Sequence, residues 1–101
     1  MANTFKKYTG TATEAGETVY TVGASTTAVI IGFVLANKSE SSKTATVVVG
    51  GITLVNEVPI PAYASLSVLD GKIILEATDV VEVTASEDDA IDVLISVLEQ
   101  T

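Results

Sequence analysis

The residue types that carry most enzyme chemistry are scarce in this chain. It contains no histidine, cysteine or arginine, so a nucleophile would have to be a serine or threonine activated by lysine. The segment KSESSK, residues 38–43, sets serines between two lysines, but its composition is typical of an exposed polar loop, and nothing in it suggests a positioned base. We therefore expect no catalytic residues and no enzymatic activity.

A group of acidic residues near the C-terminus is the best candidate for a metal site. Glu87, Asp88, Asp89 and Asp92 follow one another closely, and carboxylate oxygens are the ligands that calcium prefers. The spacing and the loop glycine of an EF-hand are missing. A solvated acidic turn, whose charges discourage unwanted strand pairing, is the interpretation that we favour, so neither a metal nor another cofactor is expected.

The charge of the chain points away from nucleic acids as partners. Thirteen acidic residues stand against five lysines, which gives a formal net charge of −8, whereas phosphate recognition depends on clusters of lysine and arginine. Lys6 and Lys7 lie near the start, and the acids are concentrated in residues 76–101, where lysine is absent. A lysine-bearing N-terminal arm could therefore meet an acidic surface of a neighbouring subunit.

No segment of the sequence predicts secretion or membrane insertion. The first sixteen residues lack the apolar run of a signal peptide, and nowhere is there an uninterrupted membrane-spanning stretch. We expect a protein that is made in the cytoplasm and kept there or assembled there into something larger.

The stretch 58–86, VPIPAYASLSVLDGKIILEATDVVEVTAS, predicts short β-strands separated by turns. Pro59 and Pro61 lack the backbone donor of a central strand, so this segment should be an edge or a crossing between strands. Asp70 and Gly71 form the dipeptide favoured in a tight hairpin turn, which predicts a β-meander here.

Two further stretches predict strands with apolar faces. Residues 28–37, AVIIGFVLAN, are rich in β-branched residues and predict a strand in the middle of the fold. Strict alternation would place Val29, Ile31, Phe33 and Leu35 on one face. Residues 91–98 alternate in the same way and predict a last strand that is apolar on one face and partly apolar on the other.

Strands and turns of this kind recur along the whole chain, and Gly50 and Gly51 mark another tight turn. We predict an all-β fold, a β-sandwich or jelly roll of about seven to nine short antiparallel strands. Residues 1–101 should form a single domain, in which residues 1–16 are an N-terminal arm or an edge strand.

The hydropathy of the chain predicts self-association. The mean hydropathy is +0.49, which is high for a small monomer with much surface to keep polar. We therefore expect a homo-oligomer. The predicted interface combines the N-terminal arm, the proline edge and the less apolar face of the last strand: Phe5, Lys6, Lys7, Tyr8, Pro59, Pro61, Tyr63, Leu94 and Leu98.

The segments TTAVIIGFVLANKSESSKTATVVV and VPIPAYASLSVLDGKIILEATDVVEVTAS, together with the ending DVLISVLEQ, resemble the small all-β virion structural proteins of tailed bacteriophages. The resemblance covers about residues 26–99 and lies in the order of strands and turns. It implies a capsid decoration or cement protein that binds between capsomers, favours a trimer as its oligomeric state, has the major capsid protein as its partner and resides in the virion. A neck or tail component is similar in character and stays open.

A second hypothesis comes from another class of function, a β-sandwich module that binds carbohydrate. Carbohydrate sites usually contain aromatic platforms, and aromatic residues make up 5% of this chain. Saturable glycan binding by the isolated protein would separate this hypothesis from that of a virion component.

Overall fold

The computed structural model describes residues 3–68 and 72–101, and this part of the chain consists of strands joined by turns and loops. Nine strands follow one another, and the described residues contain no helix, so none that could span a membrane. In chain order the strands are β1 (Asn3–Thr11), β2 (Glu17–Thr21), β3 (Thr27–Asn37), β4 (Lys43–Val49), β5 (Ile52–Ile60), β6 (Ser65–Ser67), β7 (Ile73–Leu75), β8 (Val80–Ala85) and β9 (Ile91–Gln100).

The strands form two antiparallel sheets that pack face to face. Sheet A has the order β1-β9-β3, and both β6 and β7 pair with the other side of β3; sheet B has the order β2-β8-β4-β5. Because β6 and β7 share one position, each sheet has four strand positions, and their order is that of a jelly roll. The prediction of an all-β sandwich or jelly roll of seven to nine strands is confirmed.

The core lies between the sheets and consists mainly of aliphatic side chains. In β9 the inward residues Ile91, Val93, Ile95 and Val97 are all buried, as the alternation in the sequence predicts. Phe33 is the largest fully buried side chain. A core of valine, isoleucine and leucine suits two packed sheets, because branched side chains fill the space between pleated surfaces.

Strand β3 lies in the middle of sheet A, as predicted, but its faces differ from the prediction. A register shift against β9 occurs between Ile30 and Gly32. Such a bulge adds one residue to the strand, so the alternation resumes one residue out of step. Phe33 and Leu35 are therefore buried in the core, whereas Ile31 is exposed on the outer face. The prediction that these three residues share a face is wrong.

Strands β6 and β7 do not form the predicted meander. Both pair with β3: Leu66 lies opposite Leu35 and Ile74 lies opposite Val29. The two short strands therefore run end to end along one neighbour instead of folding back on each other. The predicted turn at Asp70 and Gly71 lies outside the described residues.

The edges of the sheets differ in regularity. Strand β5 is the edge of sheet B that contains Pro59, as predicted, and its pairing with β4 is interrupted by register shifts. Gly50 and Gly51 join β4 to β5 with positive φ angles of 55° and 83°, which a tight hairpin turn requires and glycine adopts without strain. Strand β1 is the edge of sheet A, and its pairing with β9 runs from Asn3 to Thr11 without a shift.

Candidate functional site

The outer face of sheet A carries a row of apolar side chains across all four strand positions. Phe5 of β1 lies opposite Leu98 of β9, Leu98 lies opposite Val29 of β3, and Val29 lies opposite Ile74 of β7. In β3, β7 and β9 residues next to them, such as Ala28, Leu75 and Val97, are buried in the core, so this row faces away from it. Phe5 is 74% exposed and Ile74 is 70% exposed. The side chains at the two ends of the row are therefore covered only slightly by the rest of the chain.

A second apolar group lies further along the same strands. Leu94 of β9, 41% exposed, is opposite Val34 of β3. Ile31, 44% exposed, sits at the bulge of β3 between the two rows. We call this surface the apolar face, and its members are Phe5, Val29, Ile31, Val34, Ile74, Leu94 and Leu98.

Two shallow grooves open on the apolar face. One, of about 560 Å³, is lined by Val34, Ala36 and Leu94 together with the polar ends of β1 and β9. The other, of about 540 Å³, is lined by Phe5, Ile31 and neighbouring parts of β1 and β9. Both are open and dominated by apolar surface, so they suit contact with another extended surface better than enclosure of a small polar ligand.

Few charges lie on this face. At its paired strand positions the charged residues are Lys7 and Asp92, one of each sign, and the exposed Lys72 lies two residues before Ile74. Asp92 lies at one end, where its carboxylate is 3.0 Å from Lys38 Nζ and accepts a hydrogen bond from Thr11 Oγ1 at 3.2 Å. A chain with a net charge of −8 thus presents one surface that offers little repulsion to a copy of itself.

The outer face of sheet B is different in character. The paired rows of its central strands contain several hydroxyl side chains: Thr46 lies opposite Thr84, and Thr18 lies opposite Glu82, which in turn lies opposite Val48. Threonine suits a solvated sheet surface because it has high strand propensity and a polar group. Sheet B also exposes apolar side chains, Ile52 and Leu54 on the edge strand β5 and Val80 at the start of β8, but they do not form a row across all the strands as those of sheet A do.

A polar cluster around Glu99 ties the N-terminal edges of both sheets together. Glu99 Oε2 accepts hydrogen bonds from Tyr20 Oη and from Tyr8 Oη, the latter at 3.2 Å, and Oε1 is 3.1 Å from Lys6 Nζ. The two tyrosine rings contact each other, with centroids 4.6 Å apart. Strands β1, β2 and β9 are thereby joined at one carboxylate.

The cluster shifts the ionisation of its members. The hydrogen bond from Tyr20, with help from Lys6 and Tyr8, holds the pKa of the Glu99 carboxyl below its ordinary value. Burial, and then the bond to Glu99, raises the pKa of Tyr20 far above that of a free phenol. Glu99 is thus stabilised as an anion that accepts hydrogen bonds. The cluster therefore has a structural character, because none of its members has a pKa moved towards neutral pH.

The predicted interface residues fall in three places. Phe5, Lys7, Leu94 and Leu98 share the outer face of sheet A. Lys6 and Tyr8 turn to the other side of β1 and bind Glu99. Pro59, Pro61 and Tyr63 lie at the opposite edge, at and beyond the end of β5, where Tyr63 is 72% exposed. Their role as an interface stays a prediction.

The acidic candidates for calcium do not converge. In the described parts of the chain, no three acidic residues are placed so that they could hold a metal ion together. Their carboxylates have separate partners: Glu87 binds Lys43, Asp88 binds the backbone N–H of Glu14, and Asp92 binds Lys38. Asp89 has a positive φ of 63° in the turn. This arrangement suits the acidic turn that we favoured.

The serine loop is organised around Asn37, which is 2% exposed. Asn37 Nδ2 donates to the carbonyls of Ser41 and Ile60, and Oδ1 accepts from the backbone N–H and hydroxyl of Ser39. The serine hydroxyls are used here to hold a loop, since a buried amide needs all of these partners. Within the described ranges, no serine of this loop bonds to a lysine amine.

Sequence reasoning missed most of the apolar face. Strict alternation groups Ile31 with the buried residues Phe33 and Leu35. The turn signals place Ile74 in a hairpin instead of at the edge of sheet A. The exposure of Ile74 depends on pairing with a strand far away in the chain. No local pattern signals such a pairing, although the excess hydropathy did indicate that apolar surface remains uncovered.

Comparison with known proteins supports the fold. No family model and no curated protein matches this sequence. A solved structure from Bacillus endospore appendages, described as a novel family of disulfide-linked pili, matches with a TM-score of 0.58 and 15% identity over 99% of this chain and 87% of that chain. At this identity the likeness shows the fold alone.

The comparison also corrects the predicted function. The resemblance to phage proteins lies in the order of strands and turns. The solved structure with a similar fold belongs instead to a pilus. The prediction of a capsid decoration or cement protein, with a neck or tail component as its alternative, is therefore wrong. An order of strands and turns describes a fold, and one fold serves many functions.

Proposed function

We propose that this protein is a non-catalytic structural subunit that assembles with copies of itself into a filament. The apolar face carries this proposal. Phe5, Ile31, Ile74 and Leu94 are each more than 40% exposed on one sheet surface. Contiguous apolar surface of this kind on a small soluble protein marks a contact with another macromolecule.

A filament needs at least two contacts on each subunit, since a single two-fold contact ends at a dimer. Strand β1 supplies a second surface. Its nine residues are paired on one side with β9, and the backbone groups of its other side have no strand beside them in the described part of the chain. A regular free edge of this length can accept a strand from another subunit.

The solved structure with the same fold supports an assembly role, because it is described as part of a pilus. Its pili are described as disulfide-linked, whereas this chain has no cysteine. Assembly of this protein therefore does not use disulfide bonds between its own side chains, and apolar contact and strand pairing are the interactions that the described surface offers.

Electron microscopy and sedimentation of the purified protein test the proposal. We expect filaments that form with increasing protein concentration and that persist in a reducing agent. A protein that sediments as a monomer up to its solubility limit would contradict the proposal.

Two leucines of similar exposure provide a matched pair of variants. Leu94 on the apolar face is 41% exposed, and Leu54 on β5 is 38% exposed. Leu94→Lys should abolish filaments, since it places a charge in the contact. Leu54→Lys introduces the same charge elsewhere and should leave them intact. Equal loss in both variants would show that the apolar face has no special role in assembly.

A further inference from the structure

We propose that the apolar face binds the same face of a second copy, related by a two-fold axis that runs parallel to the strands between β9 and β3. This inference rests on the proposed function and names the partner of its main surface. It follows from the order of side chains across the sheet, the charge of the face and its area.

The order of side chains makes the face complementary to itself. A rotation about this axis exchanges the two ends of a row, so Phe5 of one copy meets Ile74 of the other, and Leu98 meets Val29. The two most exposed members, Phe5 and Ile74, are the two ends of the same row. Each would thus cover the other, twice in every dimer.

The second row follows the same rule. It runs from Thr9 through Leu94 and Val34 to Ser67. The same rotation brings Leu94 against Val34 and Thr9 against Ser67. Apolar side chains meet apolar ones, and hydroxyl groups meet hydroxyl groups at the rim, which is the usual arrangement in a stable interface.

The charges favour a second copy over a partner of opposite charge. Lys7 lies on the edge strand, Lys72 lies two residues before Ile74 at the other edge, and Asp92 lies at one end of the face, so the charges stand around the two apolar rows and not within them. A basic partner would be drawn instead to the acidic remainder of the chain, which has a net charge of −8. Two copies of an acidic protein can approach closely where charge is lowest.

The area of the face lies in the lower range of specific interfaces. Four strand positions span about 19 Å and nine residues about 30 Å, so the flat outline of the face is about 570 Å². Protruding side chains such as Phe5 and Ile74 raise the accessible area above this outline. The result approaches the roughly 800 Å² per partner of a standard interface.

Chemical cross-linking tests the register directly, since the chain has no cysteine of its own. Phe5→Cys and Ile74→Cys are made as separate variants at exposed positions. In the proposed dimer, position 5 of one copy lies about 10 Å from position 74 of the other, which is the spacing of packed sheets. The two copies of position 5 are in addition displaced sideways from each other by three strand spacings, about 14 Å. A bis-maleimide that spans about 10 Å should cross-link a mixture of the two variants. It should not cross-link either variant by itself.

Substitution of the same positions tests the energetics. Ile74→Lys should weaken dimerisation at least about tenfold, because two apolar contacts are lost and two charges are buried in each dimer. Ile52 on β5 is 65% exposed, and Ile52→Lys is the matched control that should leave the dimer unchanged. Sedimentation velocity measures both.

The outcomes separate this inference from the proposed function. Filaments that give no link between positions 5 and 74 overturn the two-fold pairing but leave the proposed filament in place. Linked dimers that never grow larger support the pairing and contradict the filament. A wild-type protein that stays monomeric overturns both.

Discussion

Glu99 shows how much of this fold depends on a single side chain. Its carboxylate is held by Tyr8 and Lys6 from β1 and by Tyr20 from β2, and its side chain is 12% exposed. Hydrogen bonds to a charged and mostly buried acceptor are stronger than those between neutral groups. Glu99 therefore fastens the edge strand β1, and with it Phe5, to the body of the molecule.

Glu99→Gln should lower the free energy of unfolding by about 1–3 kcal/mol at neutral pH, because the charged acceptor is lost. The folded-state pKa of Glu99 lies below its ordinary value of 4.5, so its contribution is fully present above the unfolded-state pKa. It is lost as the pH falls through the folded-state pKa. The difference between wild type and variant should therefore shrink below about pH 4.5, as measured by chemical denaturation across pH.

Glu40→Gln is the control for this experiment, since Glu40 is exposed and its substitution should change stability little. A difference between wild type and Glu99→Gln that stays constant down to the lowest pH would show that the carboxylate charge is not what binds the strands.

The bulge in β3 is the element that decides which side chains reach the surface. Because of it, Ala28 and Ile30 face the core on one side of Ile31, and Phe33 and Leu35 face it on the other. A strand without the bulge would have to turn one of these pairs outward. The exposed position of Ile31 on the apolar face is thus a consequence of keeping both halves of the strand buried.

Deletion of Val34 should cost more than about 4 kcal/mol of unfolding free energy, because Leu35 would be turned away from the core. Deletion of Ile31 should cost much less, because Ile31 is the extra residue of the bulge and its removal leaves Ile30 and Gly32 opposite consecutive residues of β9. Thermal and denaturant unfolding compare the two deletions. A Val34 deletion as stable as the Ile31 deletion would mean that the register of β3 is not fixed by its core side chains.

At the scale of the whole molecule, a highly charged body is combined with one nearly neutral apolar face. The net charge of −8 keeps subunits apart in solution and opposes assembly in every orientation. The apolar face offers the approach with the least repulsion. The orientation in which two subunits meet thus depends on where charge is missing as much as on where apolar groups are present.

Added salt should therefore promote assembly, because it screens the repulsion between acidic subunits while apolar contact remains. The protein concentration at which light scattering appears should fall as sodium chloride rises from low to physiological ionic strength. An equal osmolality of sucrose serves as a control for effects other than screening. Assembly that weakens with salt would indicate that ion pairs, for example through Lys7, hold the subunits together.

The sequence by itself determined the class of fold and much of the core. Alternation placed Ile91, Val93, Ile95 and Val97 on one buried face, Pro59 marked an edge, and Gly50 and Gly51 marked a hairpin turn, all of which the structure confirms. These features are local, because strand periodicity and turn geometry depend on neighbouring residues. The high mean hydropathy of the chain also predicted uncovered apolar surface.

The tertiary structure alone decided where that surface lies. Phe5 and Ile74 are far apart in the chain and share a row only through the pairing of β1, β9, β3 and β7. Pairing between distant strands and a one-residue bulge each change which face a side chain occupies, and neither leaves a local pattern. The sequence therefore supplied the apolar residues, and the arrangement of the sheets gathered them into one face, since only packing decides which apolar residues the core leaves out.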